Sequence, residues 1–300
     1  MSVLVVGSMA LDTIQTPFGG IREGLGGSAT HFSYAASFFA RKVRVVAVVG
    51  EDFPARHLAL LRSRGIDLRG LSHGKGRTFR WSGVYGEDLN EARTLKTELN
   101  VFQDFQPDLP GPHRKSPFVF LANIDPDLQR RVAEQIENPR LIACDTMNYW
   151  IESKPKSLRR TLRRVDLLFI NEGEARQLSG EGNLYRAARA LRDMGPAIVI
   201  IKRGTHGAVL FRDRRVFWAP AYPVEKVKDP TGAGDTFAGG FLGYLSRGRE
   251  LTDGRLRKAV VYGSIMASFC VEDFSLNRLK RATPADISKR YRAFCDLTRF

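Results

Sequence analysis

The chain has 300 residues, of which 43% are hydrophobic and 26% are charged, as is usual for a globular protein that folds in water. It contains no apolar run of about 18 residues, so a membrane-spanning helix is not expected. No basic segment with a cleavage site precedes the first apolar run, and we therefore expect a cytoplasmic protein without a secretory leader.

The net charge of +15 comes mainly from arginine, with 35 Arg against 12 Lys. A basic surface can attract nucleic acid or anionic small molecules. The arginines are scattered or lie on predicted helices, and they are not gathered with aromatic residues in one stretch. We therefore interpret them as a solvated surface and expect no nucleic-acid partner. Three widely spaced cysteines are expected to be free thiols: Cys144, Cys270 and Cys295.

Apolar runs typical of buried strands alternate with amphipathic stretches along most of the chain. The predicted strands are Val3–Val6, Val43–Val49, Phe118–Leu121, Leu141–Cys144, Leu167–Ile170, Ala197–Ile201 and Ala208–Phe211. The predicted helices are Ala29–Arg41, Pro54–Arg64, Asp127–Gln135, Lys156–Arg163, Glu172–Leu178, Leu184–Met194, Asp235–Ser246, Leu251–Cys270 and Pro284–Leu297. This order predicts an α/β fold, one domain over residues 1–300, with a mostly parallel sheet between two layers of helices.

One segment, residues 77–102, breaks the alternation. Phe79, Trp81 and Tyr85 are separated by even numbers of residues, so they would lie on one face of an extended strand. This pattern predicts extended strands. Such a meander continues a parallel sheet poorly, so we expect it to project as a separate β element. Its aromatic face would close over a substrate or pair with the same element of a second chain, giving a homodimer. The alternative is an ordinary β insertion packed on the core.

The segment Asp229–Phe241, with the sequence DPTGAGDTFAGGF, predicts a helix that starts at an anion-binding turn. Asp235 lies in the first turn of that helix, where it could accept a proton from a hydroxyl group. The turn offers backbone N–H groups at the positive end of the helix, and those groups belong to Gly232, Ala233 and Gly234. The pattern favours phosphoryl transfer, although a short Gly-x-Gly-Asp would also fit a tight connection with an acid that complements the helix dipole.

Other phosphate-binding motifs do not occur. The sequence has neither a G-x-x-x-x-G-K-[ST] loop nor a protein-kinase catalytic loop. Residues 24–29 fit G-x-G-x-x-[GA], but the nearest predicted strand ends at Val6, well before them. A dinucleotide site needs its glycines directly after the strand, so we exclude one.

Five segments carry recognisable patterns in a fixed order along the chain: Val3–Asp12, Gly26–Ala36, Asn171–Glu174, Lys202–Gly207 and Asp229–Phe241. In this order they resemble the motifs of the ribokinase family, the PfkB-type carbohydrate kinases, over almost all 300 residues. The resemblance implies a ribokinase-like three-layer fold with a small β lid built from about residues 12–22 and 77–102. It also implies an ATP-dependent transferase that phosphorylates a hydroxyl of a small sugar or polyol.

The resemblance also implies site residues. Asp235 would be the catalytic base, with Gly232, Ala233 and Gly234 as the anion hole. The phosphate acceptor would contact Asp12, Gly26, Gly27 and His31. The nucleotide would contact Asn171, Lys202, Thr205, Gly207 and Gly232. Mg²⁺ would be held largely through water by Glu174, and dependence on a monovalent cation stays open.

Several of these residues have a second interpretation. Asn171 and Glu174 would also form a helix capping box, and Lys202 could be a surface residue at a strand end. His31 stands where many relatives carry Asn, which changes the donor pattern; it could instead lie on an exposed helix face.

Two other functions compete with the sugar kinase. A nucleoside kinase fits the aromatic residues of the lid, which could stack a base. A non-catalytic binding or regulatory protein with a basic surface is the third hypothesis, and the complete helix start argues against it.

Overall fold

The computed structural model describes residues 1–89 and 92–299, and the elements given below are those of this part of the chain. The strands are β1 (Ser2–Val6), β2 (Ala10–Thr16), β3 (Gly19–Gly26), β4 (Lys42–Val49), β5 (Asp67–His73), β6 (Arg80–Tyr85), β7 (Ala92–Glu98), β8 (Phe118–Leu121), β9 (Leu141–Cys144), β10 (Leu167–Asn171), β11 (Ile198–Lys202), β12 (Ala208–Arg212) and β13 (Arg215–Ala219). The helices are α1 (Ser28–Ala36), α2 (Ala55–Ser63), α3 (Gly111–Arg114), α4 (Pro126–Gln135), α5 (Asn148–Ser153), α6 (Pro155–Leu162), α7 (Glu172–Ser179), α8 (Leu184–Asp193), α9 (Ala233–Leu245), α10 (Asp253–Cys270), α11 (Asn277–Arg281) and α12 (Pro284–Leu297).

The large sheet runs in the order β13-β12-β11-β10-β9-β8-β1-β4-β5. Neighbouring strands from β5 to β11 are parallel, while β12 and β13 are antiparallel and close one edge. The predicted, mostly parallel α/β sheet is therefore confirmed. The sequence analysis did not predict β5 or β13, which lie at the two edges.

Both faces of the large sheet are buried. In β1, Val3 and Val5 belong to one apolar core while Leu4 and Val6 belong to the other, because successive side chains of a strand point to opposite faces. On the first face Phe32 of α1 stacks on a strand residue, Phe120, at 4.5 Å between ring centroids. This packing fixes α1 and α9 against the sheet, and both helices carry site residues at their N-terminal ends.

A second sheet of four strands, in the order β3-β2-β6-β7, forms the lid. In the described part of 77–102 the predicted extended strands are β6 and β7; residues 90 and 91 of that prediction, and residue 300 of the predicted domain, lie outside the described residues. Asp12 lies beyond the first strand. It lies inside β2, because β1 ends at Val6 and the chain then crosses into the lid.

Two predictions about the chain as a whole can be compared with the structure. None of the described helices combines the length and apolar character needed to cross a lipid bilayer. Cys144, Cys270 and Cys295 are free thiols, as predicted.

Candidate active site

The N-terminal end of α9 lies at a tight glycine turn, residues 230–234. Gly232 caps the helix with φ of 75°, a left-handed conformation that side chains other than glycine adopt at a cost. There is also no room for a side chain here, since a Cβ built on Gly232 would come 2.4 Å from the ring of His31. The turn therefore depends on glycine for two separate reasons.

The amide groups of this turn only partly match the prediction. The Ala233 N–H already donates to the Pro230 carbonyl at 3.1 Å, so the expectation of three free amides is corrected. Among the described residues, the N–H groups of Gly232, Gly234 and Asp235 donate no hydrogen bond. The first turn of a helix leaves such donors for a ligand. The free donors are thus two glycine amides and that of Asp235.

Asp235 follows the turn directly and is half-buried. Burial, together with the nearby Asp145 carboxylate, raises the pKa of Asp235 to about 7, and Lys202 opposes this rise. The helix N-terminus by itself favours the ionised form of this acid, but desolvation and a like charge outweigh the helix end here. A carboxyl group with a pKa near 7 suits general base catalysis at neutral pH.

Lys202 lies beside the start of α9. Its Nζ donates to Asp145 Oδ2 at 2.6 Å, and a Cβ built on Gly234 would come 3.0 Å from the same Nζ. Burial lowers the pKa of Lys202, but three carboxylates outweigh it and the net shift is upward: Asp145, Glu174 and Asp235. Lys202 is therefore a cation enclosed by acids next to the free amides, and not a simple surface residue at a strand end.

Asp145 is a site residue that the sequence analysis missed. It follows β9 directly and is 5% exposed. Its Oδ1 accepts the Thr146 N–H at 2.9 Å, and its carbonyl accepts from Gln129 Nε2 at 2.9 Å, so its place is fixed by backbone and side-chain bonds. The sequence feature that could have identified Asp145 is its place directly after a fully apolar strand, since parallel sheets bind ligands at the carboxyl ends of their strands.

Asn171 and Glu174 form the capping box of α7. The Asn171 side chain accepts the Glu174 N–H at 2.8 Å, and Glu174 Oε2 accepts the Asn171 N–H at 3.0 Å. Burial and then the Asp145 charge raise the pKa of Glu174 to about 7. Strand register places Asn171 opposite Lys202, so the capping role and a place beside the cluster coexist.

The described residues hold no group of three or more His, Cys, Asp or Glu side chains arranged for a metal ion. Mg²⁺ commonly keeps most of its waters and binds through one or two carboxylates plus phosphate oxygens. The chemistry of Glu174 and its acidic neighbours fits that mode and does not fit a closed protein cage.

The other two predicted nucleotide residues lie in the turn after β11. Thr205 is exposed there, and the structure brings it into no contact with the acidic cluster. Gly207 has φ of 86°, and a Cβ on it would come 2.1 Å from the Ala219 carbonyl oxygen. Packing of the turn against β13 therefore explains this glycine, and nucleotide contact by either residue stays a prediction.

On the acceptor side, Asp12 lies against the glycines that open α1. A Cβ on Gly26 would come 1.9 Å from Asp12 Oδ2, and the Gly27 N–H donates to the same carboxylate. Burial raises the pKa of Asp12 to about 7; the Gly27 bond lowers it, and the charges of Asp229 and Asp235 raise it. Gly26 thus makes room for Asp12 itself. Gly27, at φ of 94°, packs on the Ser8 carbonyl.

His31 connects the acceptor side to the glycine turn. It is 2% exposed, so the alternative of an exposed helix face is wrong. Burial lowers the pKa of His31 to about 4, and the ring is therefore neutral at physiological pH. Its Nδ1 lies 3.7 Å from the Cys270 Sγ.

The inner face of the lid completes the candidate site. Tyr85 and Ile14 form a small apolar cluster with Phe274, and Trp81 packs against it. Strand register places Trp81 opposite Asp12. Phe79, predicted to share this aromatic face, packs instead against Phe102 at 5.5 Å between ring centroids.

Comparisons with known proteins identify the family of this chain. The family model described as pfkB family carbohydrate kinase matches residues 2–281. A cytidine kinase of Thermococcus kodakarensis is 31% identical over 258 residues, covering 84% of this chain and 91% of that protein. A nucleoside kinase of Methanothermobacter thermautotrophicus is 30% identical, covering 83% and 78%. The crystal structure of adenosine kinase from Sinorhizobium meliloti superposes with a TM-score of 0.82 at 19% identity, covering 97% and 99%.

The chain therefore belongs to the pfkB family of carbohydrate kinases, and it has the ribokinase-like fold. It is a phosphotransferase that acts on a hydroxyl group of a sugar or nucleoside.

Proposed function

We propose that this member of the pfkB family is an ATP-dependent nucleoside kinase in which Asp235 accepts the proton of a ribosyl hydroxyl. The observation that carries this proposal is the convergence at the start of α9. The Asp235 carboxyl group, the free Gly232 and Gly234 amides and the Lys202 ammonium lie together there. The charge of Asp235 also contributes to the raised pKa of Asp12.

The reaction needs positioning and charge stabilisation more than covalent help from the protein. The acceptor oxygen bonds to the γ-phosphorus as the bond from that phosphorus to the β–γ bridging oxygen breaks. The bridging oxygen keeps the electron pair and leaves with ADP, and the hydroxyl proton passes to Asp235. The free amides and Lys202 stabilise the charge on the phosphoryl oxygens. Asp12 holds a second hydroxyl of the acceptor.

ATP and Mg²⁺ complete the proposal. Glu174 and Asn171 would hold Mg²⁺ through its waters, and the ion would neutralise phosphate charge. Lys202 ends β11, which pairs with β10, and Glu174 lies in the first turn of α7, the helix that follows β10. They would therefore contact the same phosphate group from one side.

The sequence alone favoured a free sugar or polyol over a nucleoside. The relatives named as cytidine and nucleoside kinases support the reverse order, and so does Trp81. A Cβ on Gly83 would come 2.2 Å from the Trp81 ring, so the ring lies against this glycine, and Thr94 Oγ1 accepts its indole N–H at 3.2 Å. A fixed aromatic surface beside the acceptor carboxylate suits a base better than a sugar.

An acceptor panel tests the proposal. The purified chain is given Mg²⁺–ATP with cytidine, uridine, adenosine, inosine, ribose, fructose or myo-inositol, and ADP release and product mass are measured. We expect a nucleoside monophosphate as the main product. Turnover of a sugar and of no nucleoside would refute the nucleoside assignment. No turnover with any acceptor, together with salt-dependent DNA binding, would favour the binding-protein hypothesis.

A variant pair tests the role of Trp81. Trp81→Leu should raise the KM for the nucleoside about tenfold with little change in kcat, as expected for a lost stacking contact. Trp81→Phe keeps an aromatic ring, so its KM for the nucleoside and its kcat should be close to those of the wild type.

Three further expectations belong to this proposal. The free thiols suit a reducing cytoplasm.

The outer lid strand β7 is an exposed edge, with Leu95 55% exposed. Pairing of two lids in a homodimer would cover this edge, and sedimentation at several protein concentrations tests for the dimer. Replacing K⁺ by tetramethylammonium in the assay tests for a monovalent cation.

A further inference from the structure

A polar contact joins the lid to the glycine turn. Tyr85 is the last residue of β6, and its side chain is 9% exposed. The Thr231 hydroxyl donates to the Tyr85 hydroxyl oxygen at 3.1 Å. Thr231 directly precedes Gly232, whose amide is one of the free donors. The lid is thus one hydrogen bond away from the proposed phosphate site.

Thr231 is also fixed from its backbone side. Its N–H donates to Asp229 Oδ1 at 2.9 Å, and the other oxygen of that buried acid accepts the Ser275 N–H at 3.4 Å. Ser275 in turn donates from Oγ to the Leu25 carbonyl of β3 at 2.5 Å. Its φ of 55° is unusual for a residue other than glycine, and these bonds hold it there. A continuous series of hydrogen bonds therefore runs from lid strand β6 through Thr231, Asp229 and Ser275 to lid strand β3.

The acceptor residue lies between these two contacts. Asp12 is on β2, which pairs with β3 on one side and with β6 on the other. An acceptor bound to Asp12 would fix the strand that holds both contacts in register. The hydroxyl of Tyr85 is what makes its contact specific, because a phenylalanine would fill the same apolar cluster.

We infer that Tyr85 is a positioning residue, which holds the Thr231–Gly232 amide in place for phosphoryl transfer when the lid lies over the acceptor. The inference rests on the proposed function. It predicts that the Tyr85 hydroxyl affects kcat by holding Thr231 in place. The same hydroxyl should have little effect on the KM for the nucleoside. Burial raises the pKa of Tyr85 to about 12, so the hydroxyl stays protonated over the whole working range.

A double-mutant cycle tests this inference on the full chain. Tyr85→Phe and Thr231→Val each remove one hydroxyl and keep the shape of the side chain. With cytidine as the acceptor, each should lower kcat about threefold to tenfold, the range expected for one neutral hydrogen bond, and leave the KM for cytidine within about twofold. The double variant should be no worse than either single one, because the two hydroxyls act as a unit. Thr231→Ser keeps the hydroxyl and should restore turnover.

The control is Tyr185→Phe, since Tyr185 is 56% exposed on α8 and should leave kcat unchanged. Additive losses, an unchanged Tyr85→Phe, or an effect on KM alone would overturn the inference. Failure of the proposed function looks different, because the wild-type chain would then phosphorylate no nucleoside. In that case the same cycle is measured on the hydrolysis of ATP by water, where non-additive losses are again expected and additive ones refute the coupling.

Discussion

The imidazole ring of His31 lies directly against Gly232, with ring atoms 2.4–2.5 Å from the point where a Cβ of that glycine would lie. His31 belongs to α1, beside the acceptor residues, and Gly232 caps α9, beside the phosphate site. The two helices that carry the halves of the candidate site therefore meet at this contact, and the side chain of His31 fills the space that a side chain at position 232 would need.

Gly232→Ala should lower kcat/KM at least about a hundredfold. The added methyl group collides with His31, and a residue other than glycine at φ of 75° is strained by about 1–2 kcal/mol. Both effects displace the amides of the turn. Steady-state kinetics measure the loss. Gly254→Ala is the control, because a Cβ there meets nothing within 4 Å.

A second variant separates the collision from the backbone strain. His31→Ser in the Gly232→Ala background removes the ring and should restore part of the lost activity. If His31→Ser alone keeps its activity and the double variant is no better than Gly232→Ala, strain alone disables the turn and the contact with His31 is incidental.

Asp235→Asn should abolish most turnover and make the fold more stable. Loss of a general base commonly costs about 10²–10⁴-fold in rate. The raised pKa means that the folded chain holds a proton on this group between about pH 4 and 7, which the unfolded chain has already lost. Stability therefore falls as pH rises through that window, and the neutral amide avoids this fall. We expect a Tm increase of about 2–6 °C at pH 8 and a smaller one at pH 5.

Thermal unfolding and the acceptor assay check the two effects separately, and binding of ATP measured by calorimetry shows that the nucleotide site is intact. An Asp235→Asn chain with near-wild-type turnover would remove this residue as the base. A chain with a lower Tm at pH 8 would contradict the burial argument.

The pH dependence of kcat/KM should show an acid limb centred near pH 7. Asp235 accepts a proton only when it is ionised, so activity is lost as pH falls through its pKa of about 7 and is level above it. Asp12 and Glu174 have pKa values raised to about 7 as well, and they can steepen the limb. Asp12→Asn should keep an acid limb, because Asp235 is unchanged in that variant. A rate that is constant down to pH 5 would show that no carboxyl group of raised pKa takes part.

Lys202→Met should lose nucleotide turnover and also destabilise the fold. The lysine side chain is 18% exposed and that of its partner Asp145 is 7% exposed. Removing one partner of a buried pair leaves an uncompensated charge, at a cost of about 3–5 kcal/mol. Adding Asp145→Asn should recover much of the stability and none of the activity. Denaturant unfolding measures the first effect.

The control for this pair is Lys228→Met, which breaks the contact with Asp273. There the lysine side chain is 45% exposed, and surface pairs contribute at most about 1 kcal/mol. Equal losses for the two lysine variants would show that Asp145 tolerates the absence of its partner.

The contrast between Asp235 and Asp145 shows how far the sequence could reach. Asp235 lies within a motif whose glycines and helix pattern are local, so its place at the helix start was predictable. Asp145 reaches the site because β9 ends beside β10, and strand order in a sheet is set by contacts between segments distant in sequence. The electrostatic outcome was out of reach for the same reason. Helix-end effects can be read locally, whereas burial and the charge of Asp145 depend on the assembled cluster.

Glycines illustrate the same limit. The sequence analysis assigned Gly26 to the acceptor and Gly207 to the nucleotide, and the structure leaves no room for a side chain at either position. The protein groups that occupy this space are the Asp12 carboxylate at Gly26 and the Ala219 carbonyl at Gly207. A glycine in a sequence can indicate that another group approaches the backbone closely, but it does not identify that group.

His113→Leu should stabilise the protein, far from the candidate site. His113 is fully buried in α3, and neither ring nitrogen has a partner among the described residues. An unsatisfied buried polar group costs about 1–3 kcal/mol, and leucine has a similar size. Burial lowers the pKa of His113, with the Asp67 charge opposing it and the Arg44, Arg69 and Lys42 charges adding to it. The unfolded chain therefore binds a proton below about pH 6.5 that the folded chain does not, so stability falls with falling pH.

We expect His113→Leu to raise the free energy of unfolding by about 1–2 kcal/mol at pH 7.5 and to weaken its decline toward pH 5.5. His73→Leu is the matched control, because His73 is exposed at the end of β5, and surface changes usually stay within about 0.5 kcal/mol. Urea unfolding at the two pH values gives all the numbers required. A His113→Leu chain that is less stable at both pH values would mean that the buried ring contributes packing that leucine cannot replace, since the desolvation argument predicts the opposite sign.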